Sequence, residues 1–490
     1  MNDDAENRLI FEFTDNENGY LFDYSIESSL EKANSELDSL ELRLEETVLS
    51  IKSLTLECDK LDYALSVSSG ALCGVIDIFL VAKPGESVLC DITDKWFGNM
   101  TERFAKLCGW DGNINEKLPV PDSLHSAIEF LEKKFPIPYD QVKADGAAAE
   151  ILHLYPKNHH FKSLSHNPTI LGLFYSILDQ FTNTSHFVSG GNLIEMDYHG
   201  DSFELKGKNI PSKFFCAFVN WIGHLISDNS GSSQSKGRGM GIPSPLWTWM
   251  NDITVIKDKL NIERTEFEKN YNDFACELFE NGYDARFQTT QTIPVFINEM
   301  LVRLFYSIRR IFKYYSNTPR EERSFIGLWK SCEPFKNATV KRMLTVAHGT
   351  FCLLDVGDAV GRGFATGGGY FNVMEFAMRL NLPGLGRFGI SLMGEANRGF
   401  KLNRLNKEKW ALEGEREIVA AHIEGLKILA DVYDDKEIFR LIDDFMNSSA
   451  YEKAFYKSVE LAEKRGVPED RILKNKTDID SYFDGGNYNG

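Results

Sequence analysis

Apolar residues near the start of the chain recur every seven residues, with a second apolar set between them and charged residues around both. The two sets are Leu30, Leu37, Leu44, Ile51, Cys58 and Leu65, and Ala33, Leu40, Thr47, Leu54 and Leu61. This five-heptad seam predicts one long, coiled-coil-like helix over residues 25–67. Such a helix can join two copies of the chain through residues 30–65, or it can pack within its own subunit.

The next stretch, LSVSSGALCGVIDIFLVAK from residue 65, is almost continuously apolar and ends at Lys83-Pro84-Gly85. Its length would suffice to span a bilayer. Its one acidic residue, Asp77, opposes insertion, because a charge near the centre of a spanning helix costs about 2.5 to 3.5 kcal/mol. The pattern therefore favours a buried core helix.

Apolar residues follow a helical period through most of the remaining chain, and a period of two appears around residues 186–210. We therefore predict a mainly α protein with a small β-meander insertion. The predicted segments, besides the heptad helix, are an acidic arm or small hairpin (1–24), a helical region (68–185), the β insertion (186–210), a glycine-interrupted helical core (211–400), C-terminal helices (401–476) and a disordered tail (477–490).

Residues 295–315 predict a basic amphipathic helix. Its apolar stripe includes Ile297, Leu301 and Leu304, and cations lie among its polar positions. The cations are Arg303, Arg309, Arg310 and Lys313. A helix of this type is suited to contact with a membrane surface.

Net charge and cysteine content narrow the classes of partner. The formal charge is −18, and residues 1–46 alone hold 14 acidic and 3 basic residues. Nucleic acid is therefore a disfavoured partner. The eight cysteines form no C-x-x-C pair, and the first residues, MNDDAENRLIFEF, do not read as a secretory signal. These features predict a cytoplasmic protein, with peripheral membrane association as an addition.

Two helical segments carry candidate metal ligands. His224 and Asp228 are four residues apart, and His348 and Asp355 are seven apart, so each pair shares one helix face. Asp358 follows one turn later. Imidazole and carboxylate ligands suit a divalent transition metal. Seven of the ten histidines lie between residues 153 and 224, and those in HH and HN pairs are also typical of bends.

The stretch GSSQSKGRGMG, from residue 231, has the glycines, hydroxyls and cations that a phosphate cradle needs. The candidate contacts are Lys236, Gly237, Arg238 and Gly239. The stretch does not match the P-loop pattern, and a flexible connector is the alternative. A second glycine-rich stretch, GDAVGRGFATGGG from residue 357, does not fit a dinucleotide-binding fingerprint. Both are interpreted as movable joints between helices, and close packing of helices at the glycines of the second, such as Gly361 and Gly363, is the alternative.

The segments SSGALCGVIDIFLV, HLISDNSGSSQSKGRGMGIPSP and GTFCLLDVGDAVGRG give the chain a further resemblance. Over about residues 65 to 400 it resembles uncharacterised bacterial proteins found among mobile-element and defence genes. The resemblance implies a biological setting and assigns no activity and no catalytic residue.

Two functional hypotheses follow from the sequence. The first is a self-associating helical scaffold or effector, defence-related and directed to membranes on activation. The alternative is a metal-dependent enzyme or binding module for a phosphate-bearing small molecule or nucleotide. They differ in where chemistry would lie, because only the second requires the histidines, aspartates and glycine-rich stretch to converge.

Overall fold

The computed structural model describes residues 26–138, 154, 157–197, 203–231, 240–434 and 450–483. The described residues are mainly α-helical, with one small antiparallel sheet, which confirms the predicted fold class. Two compact units are present, one formed by residues 1–56 and 396–490 and the other by residues 57–395. The predicted arm or hairpin at 1–24 lies outside the described residues.

The larger unit holds most of the elements. They are α2 (Lys60–Ile76, continued by a π-helical turn Asp77–Val81), α3 (Val88–Leu107), α4 (Ser123–Lys134), α5 (His159–Lys162), a 3₁₀ turn (Leu164–His166), α6 (Ile170–Thr182), β1 (Thr184–Ser189), β2 (Asn192–Asp197), α7 (Ile210–Asp228), α8 (Pro245–Lys259), α9 (Glu266–Glu280), α10 (Ala285–Asn317), a 3₁₀ turn (Arg320–Glu322), α11 (Phe325–Cys332), α12 (Ala338–Thr366) and α13 (Val373–Arg379). Helix α14 (Leu382–Asp434) contributes to both units.

The smaller unit contains α1 (Ile26–Leu54), part of α14, α15 (Ala450–Lys464), a 3₁₀ turn (Glu469–Arg471) and α16 (Lys476–Phe483). The seam of α1 is its buried face, as the heptads predict. Ala33 packs against Ile423 and Leu426 of α14, within the same chain. Part of the described seam is thus covered without a second copy.

The heptad helix is shorter than predicted, and residues 60–67 belong to a separate helix. Helix α1 ends at Leu54, and α2 begins at Lys60. Asp59 caps α2: its carboxylate accepts from the backbone N–H of Asp62, and the Asp62 carboxylate accepts from the N–H of Asp59. This reciprocal capping box starts a new helix. Cys58 continued the apolar pattern only because it also packs against a core, that of the larger unit.

Helix α2 buries its small residues and exposes its large ones, so only one face of the predicted core helix is in the core. Ser69 donates to the Asn298 side chain at 2.7 Å. Leu72 and Phe79 remain exposed. Two helices of the described chain, Lys60–Val81 and Ala338–Thr366, have the length and composition to cross a membrane, a test that core helices also pass.

Gly70 sets the distance between α2 and α12. A Cβ at this position would collide with the backbone oxygen of Ala347. We expect Gly70→Ala to lower the free energy of unfolding by about 1 to 3 kcal/mol, because backbone atoms must move to relieve the overlap. The matched control is Gly386→Ala in α14, where a Cβ meets nothing within 4 Å. Helix propensity should raise the stability of that variant by up to about 1 kcal/mol. Urea unfolding measures both, and equal effects would contradict the prediction.

The second glycine-rich stretch lies at a joint between helices only in its last three glycines, which narrows the prediction of a glycine-interrupted core there. Helix α12 continues to Thr366, and the chain turns only afterwards, where Gly368 and Gly369 have φ angles of 57° and 108°. Close packing explains part of the glycine content: a Cβ at Gly363 would overlap the ring of Phe371. Glycine serves here as a spacer between packed groups.

Within the described residues, the β insertion is one hairpin over 184–197, against the predicted 186–210. Strand β1 pairs with β2 in antiparallel register from Thr184 opposite Asp197 to Ser189 opposite Asn192. Gly190 and Gly191 form the turn with φ angles of 52° and 71°, the left-handed conformations that a two-residue hairpin needs. The predicted tail also needs correction, because α16 extends to Phe483.

Candidate metal centre

Three histidine rings surround one carboxylate in the interior of the larger unit. The Nε2 atoms of His224, His166 and His160 lie 3.4, 3.7 and 4.0 Å from Oδ2 of Asp228. All four side chains are at most 2% exposed. His159 is also close, since its ligand nitrogen lies within 4.8 Å of those of His160 and His166. We call His160, His166, His224 and Asp228 the histidine cluster.

Two of the four residues come from a short, firmly held segment. His160 lies in α5 and His166 ends the following 3₁₀ turn. The backbone oxygen of Ser165 accepts from the indole N–H of Trp221 at 3.0 Å, and the Ser165 hydroxyl donates to Asp179 at 3.0 Å. These two bonds fix the residue beside His166, so the ring is oriented by the fold.

The other two residues come from the last turns of α7. His224 and Asp228 are four residues apart and so project from the same side of the helix. The preceding residue, Gly223, lies against the ring of Phe135 from the segment after α4, and a Cβ there would overlap that ring. A side chain at position 223 would therefore push α7, and its two cluster residues, out of place.

Burial sets the protonation states of the cluster. Desolvation lowers the pKa of His160 to about 4 and that of His224 to about 3, and it lowers the pKa of His166 well below its usual value. Desolvation, with a smaller contribution from Glu132, raises the pKa of Asp228 well above its usual value. The imidazoles are therefore neutral near pH 7, and among the residues that the structure describes no cation pairs with the Asp228 carboxyl group to favour its ionised form.

The tautomer of His160 follows from a backbone contact. Its Nδ1 lies 2.7 Å from the carbonyl oxygen of Gly241, which can only accept a hydrogen bond. A neutral His160 must therefore carry its proton on Nδ1, which leaves the Nε2 lone pair directed to the cluster. A histidine that ligates a metal is commonly held in this way by a carbonyl behind it.

The distances of the three histidines from Asp228 are close to those between ligands in the first coordination sphere of a transition metal. Ligands placed 2.0 to 2.2 Å from a tetrahedral zinc lie about 3.3 to 3.6 Å from one another. The three nitrogen-to-oxygen distances, 3.4 to 4.0 Å, are near that range. No donor in the described part of the chain forms a hydrogen bond with either carboxylate oxygen of Asp228. A divalent cation would supply a counter-charge to this buried carboxylate.

The glycine-rich stretch begins and ends at the histidine cluster. The backbone N–H groups of Gly231 and Gly241 both donate to the carbonyl oxygen of Asp228, at 2.9 and 3.2 Å. Residues 232–239, which include the candidate phosphate contacts Lys236, Gly237, Arg238 and Gly239, lie outside the described residues. The structure thus describes the two flanks of the stretch, and each flank is hydrogen-bonded to Asp228 of the cluster.

The remaining predicted ligands are elsewhere. Within the described residues, the groups of ligand atoms close enough to share a metal do not include His348, Asp355 or Asp358. His348 Nε2 is 3.7 Å from Glu299, Asp355 accepts from the backbone N–H of Asn381, and Asp358 lies 3.7 Å from Arg379. These three side chains instead belong to polar networks that hold helices together, so the predicted joint site does not form.

His160 and His166 are the site residues that the sequence analysis missed. The signal was present as HHFKSLSH, in the segment richest in histidine, and the bend interpretation set it aside. A bend alone does not require buried imidazoles, whereas all three histidines of this segment are buried. The sequence analysis interpreted these histidines as bend residues and did not consider them as metal ligands.

No family model matches the chain, and neither the curated proteins nor the solved structures give a match. The functional argument therefore depends on the geometry of the cluster.

Proposed function

We propose that the histidine cluster binds a divalent transition metal, with zinc the best fit, and that the protein uses it to act on a phosphate-bearing ligand. The observation that carries the proposal is the placement of three imidazole Nε2 atoms within 4.0 Å of one carboxylate oxygen of Asp228. Imidazole nitrogens and carboxylate oxygens are among the usual zinc ligands, and a catalytic zinc takes three of them and keeps its fourth position for water or substrate.

The phosphate part of the proposal follows from the glycine-rich stretch. Gly231 and Gly241 are bonded to the backbone of Asp228, so the cations at Lys236 and Arg238 are joined to the cluster by short lengths of chain. A metal and these cations together would suit a phosphoryl group: the metal would polarise its oxygens or a water molecule at an open coordination position, and the cations would offset its charge. Phosphoester hydrolysis is the reaction that we propose.

Metal content tests the first part. Purified protein should contain about one zinc per chain by inductively coupled plasma mass spectrometry, and His224→Ala should lose most of it. His348→Ala is the matched control, because His348 is an equally buried helical histidine outside the cluster. It should keep its metal. Loss of metal in the control, or retention in His224→Ala, would refute the assignment.

Ligand binding tests the second part separately. A double variant, Lys236→Ala with Arg238→Ala, should keep its zinc and bind inorganic phosphate at least about tenfold more weakly, the effect of losing charge-assisted hydrogen bonds. Calorimetry measures that binding, and turnover of bis-p-nitrophenyl phosphate measures hydrolysis. If the wild type contains zinc but neither binds phosphate nor hydrolyses the ester, the cluster is a structural metal site.

Self-association through residues 30–65 and a defence-related setting stay predictions. Part of the apolar surface of α1 is covered by α14 of the same chain, so burial of that surface does not require a second copy. The geometry gives no comparable support to the scaffold hypothesis, and for this reason the metal-dependent activity is preferred.

A further inference from the structure

Helix α10 has an apolar outer face, and its predicted cations are largely engaged. Arg309 pairs with Asp59 at 2.8 Å and Arg310 pairs with Asp62 at 3.3 Å. Arg303 pairs with Glu299 at 3.1 Å. A regular exposed stripe runs along the helix: Phe296, Met300, Leu304, Ile308 and Phe312. Lys313 has no ion pair with the described residues, so most of the basic charge needed for a membrane contact must come from beyond residues 295–315.

That charge lies in the segment that follows. Helix α11 packs antiparallel to the end of α10: the Ser324 N–H donates to the Tyr314 hydroxyl at 2.9 Å, and the Ser307 hydroxyl donates to the Cys332 carbonyl at 3.0 Å. Exposed aromatic, aliphatic and basic side chains therefore collect at this corner. We call it the aromatic-basic corner, and it consists of Phe312, Lys313, Tyr315, Phe325, Ile326, Trp329, Lys330 and Lys336.

The charge balance of the corner is opposite to that of the whole chain. Residues 312–341 contain six basic residues (Lys313, Arg320, Arg323, Lys330, Lys336, Lys341) and three acidic ones (Glu321, Glu322, Glu333), a net charge of +3 in a chain of −18. No ion pair joins these six cations to the residues that the structure describes. Arg323 donates to the backbone oxygens of Thr318 and Tyr315, and the charge of the other five is available to an external partner.

We propose that the aromatic-basic corner docks on the surface of an anionic lipid bilayer. Phe325 is 80% exposed and Phe312 72%, and both are large enough to enter the acyl boundary. Lysines beside such aromatics attract anionic headgroups. Aliphatic residues such as Ile326 and Ile308 argue against nucleic acid, because bases stack on aromatic and guanidinium planes. This inference is independent of the metal centre.

Vesicle flotation with the full chain tests the proposal. The protein should float with vesicles of phosphatidylcholine and phosphatidylserine, and much less with phosphatidylcholine alone or at high salt. Phe325→Ser with Trp329→Ser should abolish flotation. Lys330→Glu and Lys336→Glu should each weaken it about fivefold or more, since a basic residue near an anionic surface contributes about 1 kcal/mol. All substituted residues are exposed, so we expect the variants to fold, and circular dichroism is the measurement that checks it.

A matched control separates the corner from general surface hydrophobicity. Leu260 and Phe267 are 63% and 68% exposed in the same unit. Leu260→Ser with Phe267→Ser should leave flotation unchanged. The proposal is wrong if the wild type does not float, if the control loses as much as the corner variants, or if the corner variants instead lose binding to single-stranded DNA or a dimer seen by light scattering.

Discussion

Chelation of the bound metal should lower the unfolding temperature of the protein by about 5 to 10 °C. A ligand present at about a thousand times its dissociation constant stabilises the folded state by about 4 kcal/mol, and a domain of this size loses about 2 °C for each kcal/mol. Calorimetry of protein dialysed against 1,10-phenanthroline, with and without added zinc, measures the change. Restoration by zinc shows that the loss is reversible.

Two variants make the result specific to the histidine cluster. His224→Ala should unfold at a lower temperature than the wild type and no longer respond to the chelator, because its metal is already absent. His348→Ala should respond to the chelator as the wild type does, whatever its own stability. If chelation leaves the unfolding temperature of the wild type unchanged, a bound metal does not stabilise the folded state. That result would count against the histidine cluster as the ligand set of a metal.

The sequence predicted the cluster only where its residues are close in the chain. His224 and Asp228 lie about 6 Å apart along one helix, within reach of a common ion. His348 and Asp355 also share a helix face, but seven residues correspond to about 10.5 Å along the axis. A shared face was thus too weak a criterion. His166 lies 58 positions before His224, so only tertiary packing brings the two together.

The heptads show what periodicity can and cannot predict. Burial of Ala33, Leu40 and Thr47 confirms the helical period of α1, since the seam residues pack or are buried in the smaller unit. The helix nevertheless ends at Leu54, because Asp59 and Asp62 cap the next one. The period of the hydrophobic residues predicts which face of a helix is buried. It does not predict which surface covers that face. The capping residues were the better guide to where the helix ends.

Substitution of Asp77 is the second change for which we expect a large effect, because Asp77 lies beside another carboxylic acid in the core. Its carboxylate accepts from the Asn381 side chain at 2.6 Å, and it shares a hydrogen bond with Asp355. Burial and the neighbouring Asp355 raise the pKa of Asp77 well above its usual value. Burial raises the pKa of Asp355 from 3.8 to about 6. Near neutral pH the folded protein must therefore either bury negative charge on Asp77 and Asp355 or keep a proton on them, and each alternative lowers the free energy of unfolding.

The direction of the pH dependence follows from these raised values. Between pH 4 and pH 6 the folded state binds more protons at Asp355 than the unfolded state does, so the free energy of unfolding falls as pH rises. For Asp355 alone, a shift of about two pK units corresponds to about 3 kcal/mol. Asp77 extends the decline to higher pH, because its own pKa is also raised.

Asp77→Asn should therefore stabilise the protein at pH 8 by about 1 to 3 kcal/mol and flatten the part of its stability decline that Asp77 causes above about pH 6, while the decline due to Asp355 between pH 4 and pH 6 remains. The amide oxygen can still accept from Asn381, and the amide N–H can donate to Asp355, so the core hydrogen bonds survive without a titrating proton on residue 77. Asp77→Ala is the control, because it removes the charge but leaves the Asn381 side chain without this acceptor, and it should destabilise the protein at every pH. Urea unfolding across the pH range measures both variants. If Asp77→Asn is no more stable than the wild type at pH 8, the pair is held by contacts that outweigh its desolvation, and the raised pKa of Asp77 is not a source of instability.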